Sequence, residues 1–178
     1  LYISEGVLDV LDHSAPDPLF GAKLGIDATG RRPDEKKRPQ PGRAQIPPET
    51  VIAGALGKIS ETLTSSHLPP LETNNRVLLI SFEKDGQTPG RRLCEKILAE
   101  PALAAFSIFL LLDSKIDLRD YSLVLWKLFN NVDPKRDMAR QGGRIAIDAT
   151  RKGPEDGHTR PWPDDIEMDP EIVKKVLE

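Results

Sequence analysis

Long apolar runs alternate with segments of helical spacing along the middle of the chain. Residues 76–82 (RVLLISF) and 105–112 (AFSIFLLL) are almost continuously apolar, which is typical of strands buried on both faces of a parallel sheet. Residues 89–100 lie between these runs, and their apolar side chains recur three or four positions apart. The pattern therefore predicts a strand, a crossover helix and a second strand, in this order.

Two further helices are predicted, one on either side of this unit. The first begins at Glu49, because one helical face collects Val51, Ile52, Ala55, Leu56, Ile59 and Leu63. The second runs from Asp117 to about Asn131, and its Asp117 and Asp120 resemble a capping box. A calcium loop is the alternative for the segment that begins at residue 113. Such a loop requires glycine at its sixth position and an acidic residue at its twelfth, and this segment has neither.

One short stretch occurs twice, far apart in the chain. KLGIDAT covers residues 23–29 and RIAIDAT covers residues 144–150. Each copy places apolar residues at alternate positions and ends in Asp-Ala-Thr, as a short buried strand does where it leaves a sheet through a turn. We therefore interpret the two copies as equivalent corners at strand ends within one fold.

These elements together predict the α/β class. A strand over Arg144–Asp148 and a closing helix from Pro170 complete the alternation of strands and helices. The expected architecture is a three-layer sandwich, with a mixed, largely parallel central sheet and helices on both faces. The KLGIDAT strand would be an additional member of this sheet, at an edge.

Composition supports one domain and excludes several functional classes. The 178 residues are enough for one domain with a substantial core, and 38% are apolar while 30% are charged. A net charge of −3 predicts neither disorder nor a general affinity for nucleic acid. The longest apolar run is too short to cross a bilayer, and Cys94, the single cysteine, has no disulfide partner, so we expect a cytoplasmic protein.

Residues 30–48 are rich in proline and basic residues, which favours a surface loop over a helix or a central strand. The basic residues of this loop are Arg31, Arg32, Lys36, Lys37, Arg38 and Arg43. They form either a solvated cluster or a contact for phosphate or an acidic partner.

The histidine-containing segments give little indication of catalysis or metal binding. Asp12, His13 and Ser14 are the residue types of a hydrolase triad, but adjacent residues on an extended chain point in different directions, and no G-x-S-x-G motif follows. We expect a turn with a hydrogen-bonded histidine. The other two histidines and the single cysteine lack the spacing of zinc ligands.

The two corners and one tryptophan are the stronger candidates for sites. Asp27 and Asp148 each precede a threonine by two residues and a basic residue by four. Either carboxylate can accept backbone N–H bonds and hold the next turn, with Arg31 or Lys152 as a possible ion partner. The functional alternative is ligand binding, because the carboxyl ends of strands in α/β sheets are the usual binding positions. Trp162, between two prolines, is expected to anchor an extended segment, either onto its own domain or onto a neighbouring subunit.

Three segments resemble the UbiD family of decarboxylases. GVLDVLDHSAPDPLFGAKLGIDAT, at residues 6–29, is similar to a family segment with L-D-H-A-S-P and G-I-D-A-T. LLLDSKIDLRDYSLVLWKLFNNVDPKRD, at residues 110–137, resembles a segment ending in D-P-x-R-D, and residues 147–176 resemble the closing I-D-A-T…R-x-W-P…M-D segment. Most members have one I-D-A-T corner, whereas this sequence looks like a longer-chain subgroup with a related copy before it. The L-D-H and R-x-W-P halves of the usual motif are therefore divided between two corners.

This resemblance implies a function for a larger enzyme. In the family, prenylated FMN, held with a divalent metal and a monovalent cation, supports decarboxylation of aromatic or α,β-unsaturated acids, with ubiquinone or menaquinone biosynthesis as one expected context. The catalytic Glu–Arg–Glu (or Asp) set and the metal ligands belong to a middle domain, whose motifs are absent from this sequence. The chain also begins at Leu1, inside a segment that reads as structured. We therefore expect residues 1–178 to be a C-terminal domain without catalytic, cofactor-binding or metal-binding residues of its own.

The resemblance also implies partners for this domain. It would contact its own N-terminal and middle domains, join a dimer or hexamer, and close over the substrate side of the active site. His13, Lys23, Asp27 and Thr29 would line the shared cleft or, alternatively, form a structural turn. Neither nucleic acid nor an integral membrane segment is expected. A stand-alone assembly or ligand-binding module of the same fold is the alternative function.

Overall fold

The computed structural model describes residues 1–26, 45–71, 76–165 and 168–177. In chain order, the strands and helices are β1 Tyr2–Val7, β2 Phe20–Gly25, α1 Glu49–Ile59, β3 Leu63–His67, β4 Val77–Phe82, α2 Gly90–Ala99, β5 Ile108–Asp113, α3 Tyr121–Asn130, α4 Pro134–Asp137, β6 Met138–Gln141, β7 Arg144–Asp148 and α5 Pro170–Leu177. Across these ranges, no helix has the length and apolar character needed to span a membrane. The predicted basic loop lies largely outside the described residues.

Five strands form the main sheet in the order β3, β4, β5, β7, β6. The three central strands are parallel, with Leu79 opposite Leu110 and Leu110 opposite Ile147, and each edge strand is antiparallel to its neighbour. The central strands are apolar along most of their length because their side chains are buried on both faces of the sheet. The predicted mixed α/β class is confirmed, and all three predicted central strands are present.

Alternate side chains of the central strands enter two separate hydrophobic clusters. The larger cluster combines residues of β4 and β5 with residues of α1 and α2, among them Leu78, Ile80, Phe82, Phe109, Leu111, Ile52, Leu56, Leu93, Ile97 and Leu98. The second cluster contains Leu79, Leu110 and Leu112, together with Val124 of α3. Thus α1 and α2 cover one face of the sheet, whereas α3 contributes one fully buried apolar side chain to the second cluster.

Arg144, at the start of β7, stabilises the connection from α2 to β5. Its guanidinium donates hydrogen bonds to the carbonyl oxygens of Leu98 (2.8 Å), Leu103 (2.9 Å) and Phe106 (2.9 Å). The last carbonyls of a helix lack partners within the helix, so a charged donor at this position satisfies acceptors that would otherwise be unpaired.

Two predicted helix boundaries were wrong. The residue that caps α3 is Asp120, whose carboxylate accepts the N–H of Leu123 (3.1 Å), because the Asp117 carboxylate is engaged by the N–H of Arg119 (2.9 Å) in the preceding turn. The capping box assigned to Asp117 is therefore absent. Leu63, expected on the apolar face of the first helix, instead begins β3, since α1 ends at Ile59.

The placement of the KLGIDAT strand was also wrong. Its residues 23–25 belong to β2, which pairs antiparallel with β1 in a separate two-stranded sheet, called the ribbon below. The edges of the main sheet are occupied by β3 and β6, which the sequence pattern did not predict. The short β6 reaches its edge through a hairpin with β7, made possible by Gly142 and Gly143, whose φ angles of 56° and 82° suit glycine.

Replacing Arg144 with methionine should lower the free energy of unfolding by roughly 3 kcal/mol, because three carbonyls lose a charged donor while the aliphatic part of the side chain is kept. Urea unfolding followed by circular dichroism measures this difference. Arg140→Met, at an exposed arginine of β6, is the matched control and should change stability by no more than about 0.5 kcal/mol. Equal effects of the two substitutions would contradict the role given to Arg144.

Candidate functional site

The second corner begins with Asp148, the last residue of β7. One oxygen of its buried carboxylate, Oδ1, accepts hydrogen bonds from the backbone N–H (3.0 Å) and the hydroxyl (2.6 Å) of Thr150. This arrangement is an Asx turn, in which a side chain replaces the backbone acceptor of a turn. In this copy, the Asp-Ala-Thr sequence therefore forms an Asx turn that ends the strand.

Lys152 fills the interior of the same corner. Its ammonium group donates to the backbone carbonyls of Asp148 (2.9 Å) and Thr150 (2.5 Å), and it lies 3.2 Å from the other carboxylate oxygen of Asp148, Oδ2. The side chain has no solvent exposure, and the carboxylate of Asp137 lies 4.0 Å away. A buried ammonium requires partners of this kind, since an unpaired charge inside a protein costs several kcal/mol. The geometry favours a structural role for the corner.

The carboxyl edge of the central strands is filled by further ion pairs. Lys84, just after β4, donates to the carbonyl of Arg151 (2.7 Å) and pairs with Glu155 (3.2 Å) and Asp156. The backbone N–H of Gly90, at the start of α2, donates to Asp156 (3.0 Å). A Cβ atom at this glycine would collide with the carboxylate of Asp148, so the helix approaches the corner as closely as a backbone can. The edge where α/β sheets usually bind ligands is occupied by the chain itself.

Helix α4 connects the ribbon to the main sheet. The carboxylate of Asp133 accepts the N–H groups of Lys135 (3.0 Å) and Arg136 (3.1 Å) through one oxygen, and the N–H of Ala22 in β2 (2.8 Å) through the other. Arg136 forms a two-point pair with Asp137, with distances of 2.6 and 2.8 Å. The D-P-x-R-D segment thus caps its own helix and holds β2, the strand in which the first motif copy begins.

Three aromatic rings join the first segment to the tail. The ring of Trp162 makes edge contacts with His13 (centroids 4.8 Å apart) and with His158 (5.1 Å), and we call these three residues the aromatic clamp. Arg160 donates to the backbone carbonyls of Asp12 (3.3 Å) and Ala15 (3.4 Å). The L-D-H and R-x-W-P halves, which the sequence separates, therefore meet in space.

Burial changes the ionisation of two groups at this junction. It lowers the pKa of His158 to about 4, and the nearby positive charge of Arg136 acts in the same direction. The ring is neutral at pH 7, and its Nδ1 accepts a hydrogen bond from Arg136 (3.1 Å). Burial also raises the pKa of Asp137 to about 6, against the opposing attraction of Lys152 and Arg136.

The predicted site residues have different positions. His13 is half-buried in the aromatic clamp, and Lys23 is exposed on β2, opposite Ser4. Asp27 and Thr29 lie outside the described residues. Trp162 is half-buried against its own chain, and its role as an interface anchor stays a prediction.

The structure also accounts for Asp12, His13 and Ser14. The Asp12 carboxylate accepts both the N–H (3.0 Å) and the hydroxyl (2.7 Å) of Ser14 directly, while the His13 ring packs on Trp162. The histidine is not placed between the acid and the serine, so this is a turn and not a triad.

Sequence reasoning allows Lys152 as a possible ion partner of Asp148 but missed three other charged residues around the second corner. Lys84, Arg136 and Asp137 looked like surface residues, because charged residues are rarely fully buried. The available signal was their position, since each lies just beyond a strand or within the D-P-x-R-D segment. Among the residues described, no group of three or more His, Cys, Asp or Glu side chains could hold a metal ion. A cavity of about 140 Å³ beside Arg136 and Asp137 is smaller than a typical ligand pocket of about 300 Å³.

Residues 44–158 match a protein-family model, UbiD_C, which is described as the 3-octaprenyl-4-hydroxybenzoate carboxy-lyase C-terminal domain. An uncharacterized protein of Helicobacter pylori is 32% identical over 174 residues, which cover 98% of this chain and 27% of that protein. The chain thus spans about a quarter of the length of this relative.

Solved structures show the same fold. An evolved dimeric form of the UbiD-class enzyme HmfF from Pelotomaculum thermopropionicum, in complex with prFMN, superposes with a TM-score of 0.56 at 20% identity, over 71% of this chain and 27% of that chain. HmfF in complex with FMN gives a TM-score of 0.51 at 19% identity, over 71% of this chain and 31% of that one.

His158 predicts a specific dependence of stability on pH. Its pKa is lower in the folded state than in the unfolded chain, so the unfolded state takes up the proton first and folding becomes less favourable as the pH falls from 6.5 towards 4. Between pH 6.5 and 4.5, the free energy of unfolding of His158→Asn should fall by about 2 kcal/mol less than that of the wild type. Asp137 acts in the opposite direction below pH 6, but it is present in both proteins.

Urea unfolding at both pH values measures this difference. His67→Asn, at a half-buried histidine of β3, is the matched control and should retain the wild-type loss on acidification. If His158→Asn loses as much stability as the wild type, the buried neutral ring is not the acid-sensitive group.

Proposed function

Because the chain belongs to the UbiD family, as its C-terminal domain, we propose that it assembles and closes the active site of a decarboxylase that depends on prenylated FMN. The substrate class in this proposal is an aromatic or α,β-unsaturated carboxylic acid, and the proposed context is quinone biosynthesis. The family description, which names a carboxy-lyase of 3-octaprenyl-4-hydroxybenzoate, supports an aromatic acid. The domain itself supplies no catalytic residue in this proposal. It acts by covering the substrate side of a cleft formed with the rest of the polypeptide.

The observation that carries this proposal is the junction between the two motif copies. Asp133, Arg160 and the aromatic clamp hold residues 12–22 on the main domain. Most of the polar groups in this junction are paired within the chain, as expected of a rigid support. A rigid support presents its outer surface in a fixed geometry, which suits a domain that closes on a partner.

The outer surface at this junction carries exposed apolar side chains. Five large side chains at the tip of the ribbon are between 47% and 84% exposed, and we call them the tip patch: Val7, Val10, Leu11, Leu19 and Phe20. Leu19 has a φ angle of 65°, which is unfavourable for a leucine and persists only where the surrounding structure holds it. Clustered apolar exposure of this kind marks an interaction site. We propose that the tip patch packs against the middle domain, with His13, Lys23, Asp27 and Thr29 facing the cleft.

The proposal places the cofactor on the rest of the polypeptide. HmfF binds prFMN or FMN in the structures that this chain resembles. We assign prenylated FMN, the divalent metal and the monovalent cation to the polypeptide beyond these residues. When bound, the flavin would supply the electron sink that decarboxylation needs.

The test uses the polypeptide at its native length, loaded with prenylated FMN and incubated with a panel of aromatic and α,β-unsaturated acids. Chromatography measures the acid that remains, and we expect at least one acid of the panel to be consumed. Leu11→Asp should lower kcat/KM for that acid at least tenfold with unchanged flavin content, because a charge in the tip patch opposes closure.

Val51→Asp, at an exposed residue of α1, is the matched control and should leave the rate unchanged. A loaded protein that consumes no acid in the panel would contradict the decarboxylase proposal. An active protein in which Leu11→Asp behaves like Val51→Asp would contradict only the closing role of the tip patch.

A further inference from the structure

The two strands that contain the repeated motif pair with their partner strands in the same way. Strand β7 pairs antiparallel with β6, and β2 pairs antiparallel with β1. Arg144 and Lys23, the first residues of the two copies, lie opposite Gln141 and Ser4, respectively. By this register, β6 corresponds to residues 1–4 at the start of β1. The repeat therefore includes the partner strand as well as the motif.

The open edge of β2 is the edge at which β7 meets β5. Successive residues of an antiparallel pair alternate between bonding to each other and pointing outward. The N–H of Ala22 points away from β1, because it donates to Asp133 (2.8 Å), so the backbone groups of Leu24 and Ile26 also face outward. Ile145, the counterpart of Leu24, faces β5, since its N–H donates to the carbonyl just before that strand (2.9 Å). The same edge is thus paired in the second copy and open in the first.

This open edge leaves apolar residues exposed. Ile147 of β7 is 8% exposed, whereas Ile26, its counterpart directly after β2, is 62% exposed. Neither Leu24 nor Ile26 has a backbone hydrogen bond across this edge to another described residue. A ribbon of two strands is only marginally stable in water, and an open edge is a template for another strand. The first copy therefore lacks the neighbour that the second copy has in β5.

We propose that β2 is a central strand of a second sheet, whose parallel neighbour comes from the polypeptide outside these 178 residues. This second sheet repeats the fold of the main sheet, with β2 in the place of β7 and with β1 in the place of β6 at the edge. The missing neighbour corresponds to β5. The proposal goes beyond the decarboxylase function, since it concerns the architecture of the native-length protein. It also leaves the tip patch, at the other end of the ribbon, free for the middle domain.

The comparisons with longer proteins support an occupant from the same polypeptide. The family model matches from residue 44 onwards, so the first copy lies outside the domain that this model describes. The Helicobacter pylori relative matches nearly the whole chain, including the region of the first copy, and most of its own length lies outside the match. A protein of this length can hold a second copy of the fold. An internal repeat of one supersecondary unit is the usual sign of such a duplication.

The register also predicts the sequence that precedes Leu1 in the native-length polypeptide. Leu1 corresponds to Met138, and the D-P-x-R-D segment at residues 133–137 directly precedes Met138. A second copy of this segment should therefore end directly before Leu1. An apolar strand equivalent to β5 should lie farther upstream, at about the interval that separates Ile108 from Met138.

Sequencing the native-length gene product checks this arrangement first. We expect P-x-R-D directly before Leu1, and an uninterrupted apolar run of at least about five residues at the stated interval, because strands buried on both faces have this pattern. Absence of the Arg-Asp pair or of the apolar run would overturn the proposal.

The decisive experiment is amide hydrogen exchange in the native-length polypeptide, resolved to single residues by mass spectrometry with electron-transfer fragmentation. The N–H groups of Leu24 and Ile26 should exchange at least about a hundredfold more slowly than unprotected amides, because the proposed strand accepts their hydrogen bonds. Ile3 and Glu5 face outward on the other edge of the ribbon and are the matched controls. They should exchange within about tenfold of unprotected amides, because β1 takes the place of an edge strand.

The other outcomes of this experiment contradict the proposal. Slow exchange at Ile3 and Glu5, with fast exchange at Leu24 and Ile26, would place the additional strand on β1. Fast exchange at all four would leave the ribbon two-stranded, and slow exchange at all four would remove β1 from the edge. Protection that weakens at least tenfold on dilution would assign the additional strand to a second molecule, with the same consequence.

Two proline variants give a second measurement. Proline removes one N–H group, which an edge position tolerates and the middle of a sheet does not. In Leu24→Pro, Ile26 should exchange at least tenfold faster than in the matched variant Ile3→Pro. Equal exchange of Ile26 in the two variants would overturn the proposal, and the wild-type measurement stands even if Leu24→Pro fails to fold. Neither measurement uses acid consumption, so its outcome is independent of the decarboxylase proposal.

Discussion

The ammonium group of Lys152 is the interaction on which most of this structure depends. It lies without solvent exposure between two backbone carbonyls and the carboxylate of Asp148, and within 4.0 Å of Asp137. These contacts join the exit of β7 to α4. Helix α4 in turn holds β2 through Asp133, and Arg136 contacts His158 in the tail. Removing the charge would leave several buried acceptors without a donor at the centre of this network.

This network explains why the chain contains the motif in two places. The copy at residues 144–150 forms a central strand and the turn that follows it. The Asp148 carboxylate and the Thr150 hydroxyl of this copy are hydrogen-bonded to each other within the turn. The copy at residues 23–29 begins in β2, which pairs with β1 in the ribbon. Several side chains of the ribbon are exposed to solvent. Similar sequences therefore occupy two different positions: the second copy lies inside the main sheet, and the described part of the first copy, residues 23–26, lies in the ribbon and just after it.

The sequence predicted those parts of the fold whose signal is local. The apolar runs of β4 and β5 and the helical spacing of α2 gave the centre of the sheet, because strands buried on both faces leave a continuous apolar pattern. The edge strands β3 and β6 were missed, since LTSSH is largely polar and MARQ is only four residues long. The ribbon was misplaced because an apolar alternation marks a strand without naming its partner strand, and the contact that holds β2, from the N–H of Ala22 to Asp133, is distant in sequence. The contacts of His158 in the aromatic clamp and of Arg160 beside it likewise join segments far apart in the chain, so no local pattern predicted them.

The close approach of Gly90 to Asp148 has a consequence for the evolution of this domain. The two positions occupy one volume, because a side chain at residue 90 and a carboxylate at residue 148 cannot coexist. Homologues should therefore change these positions together: a larger residue at the start of α2 should accompany a smaller or neutral one at the end of β7. Covariation between them would identify chains that have exchanged the ion-paired corner for a different way of closing the strand.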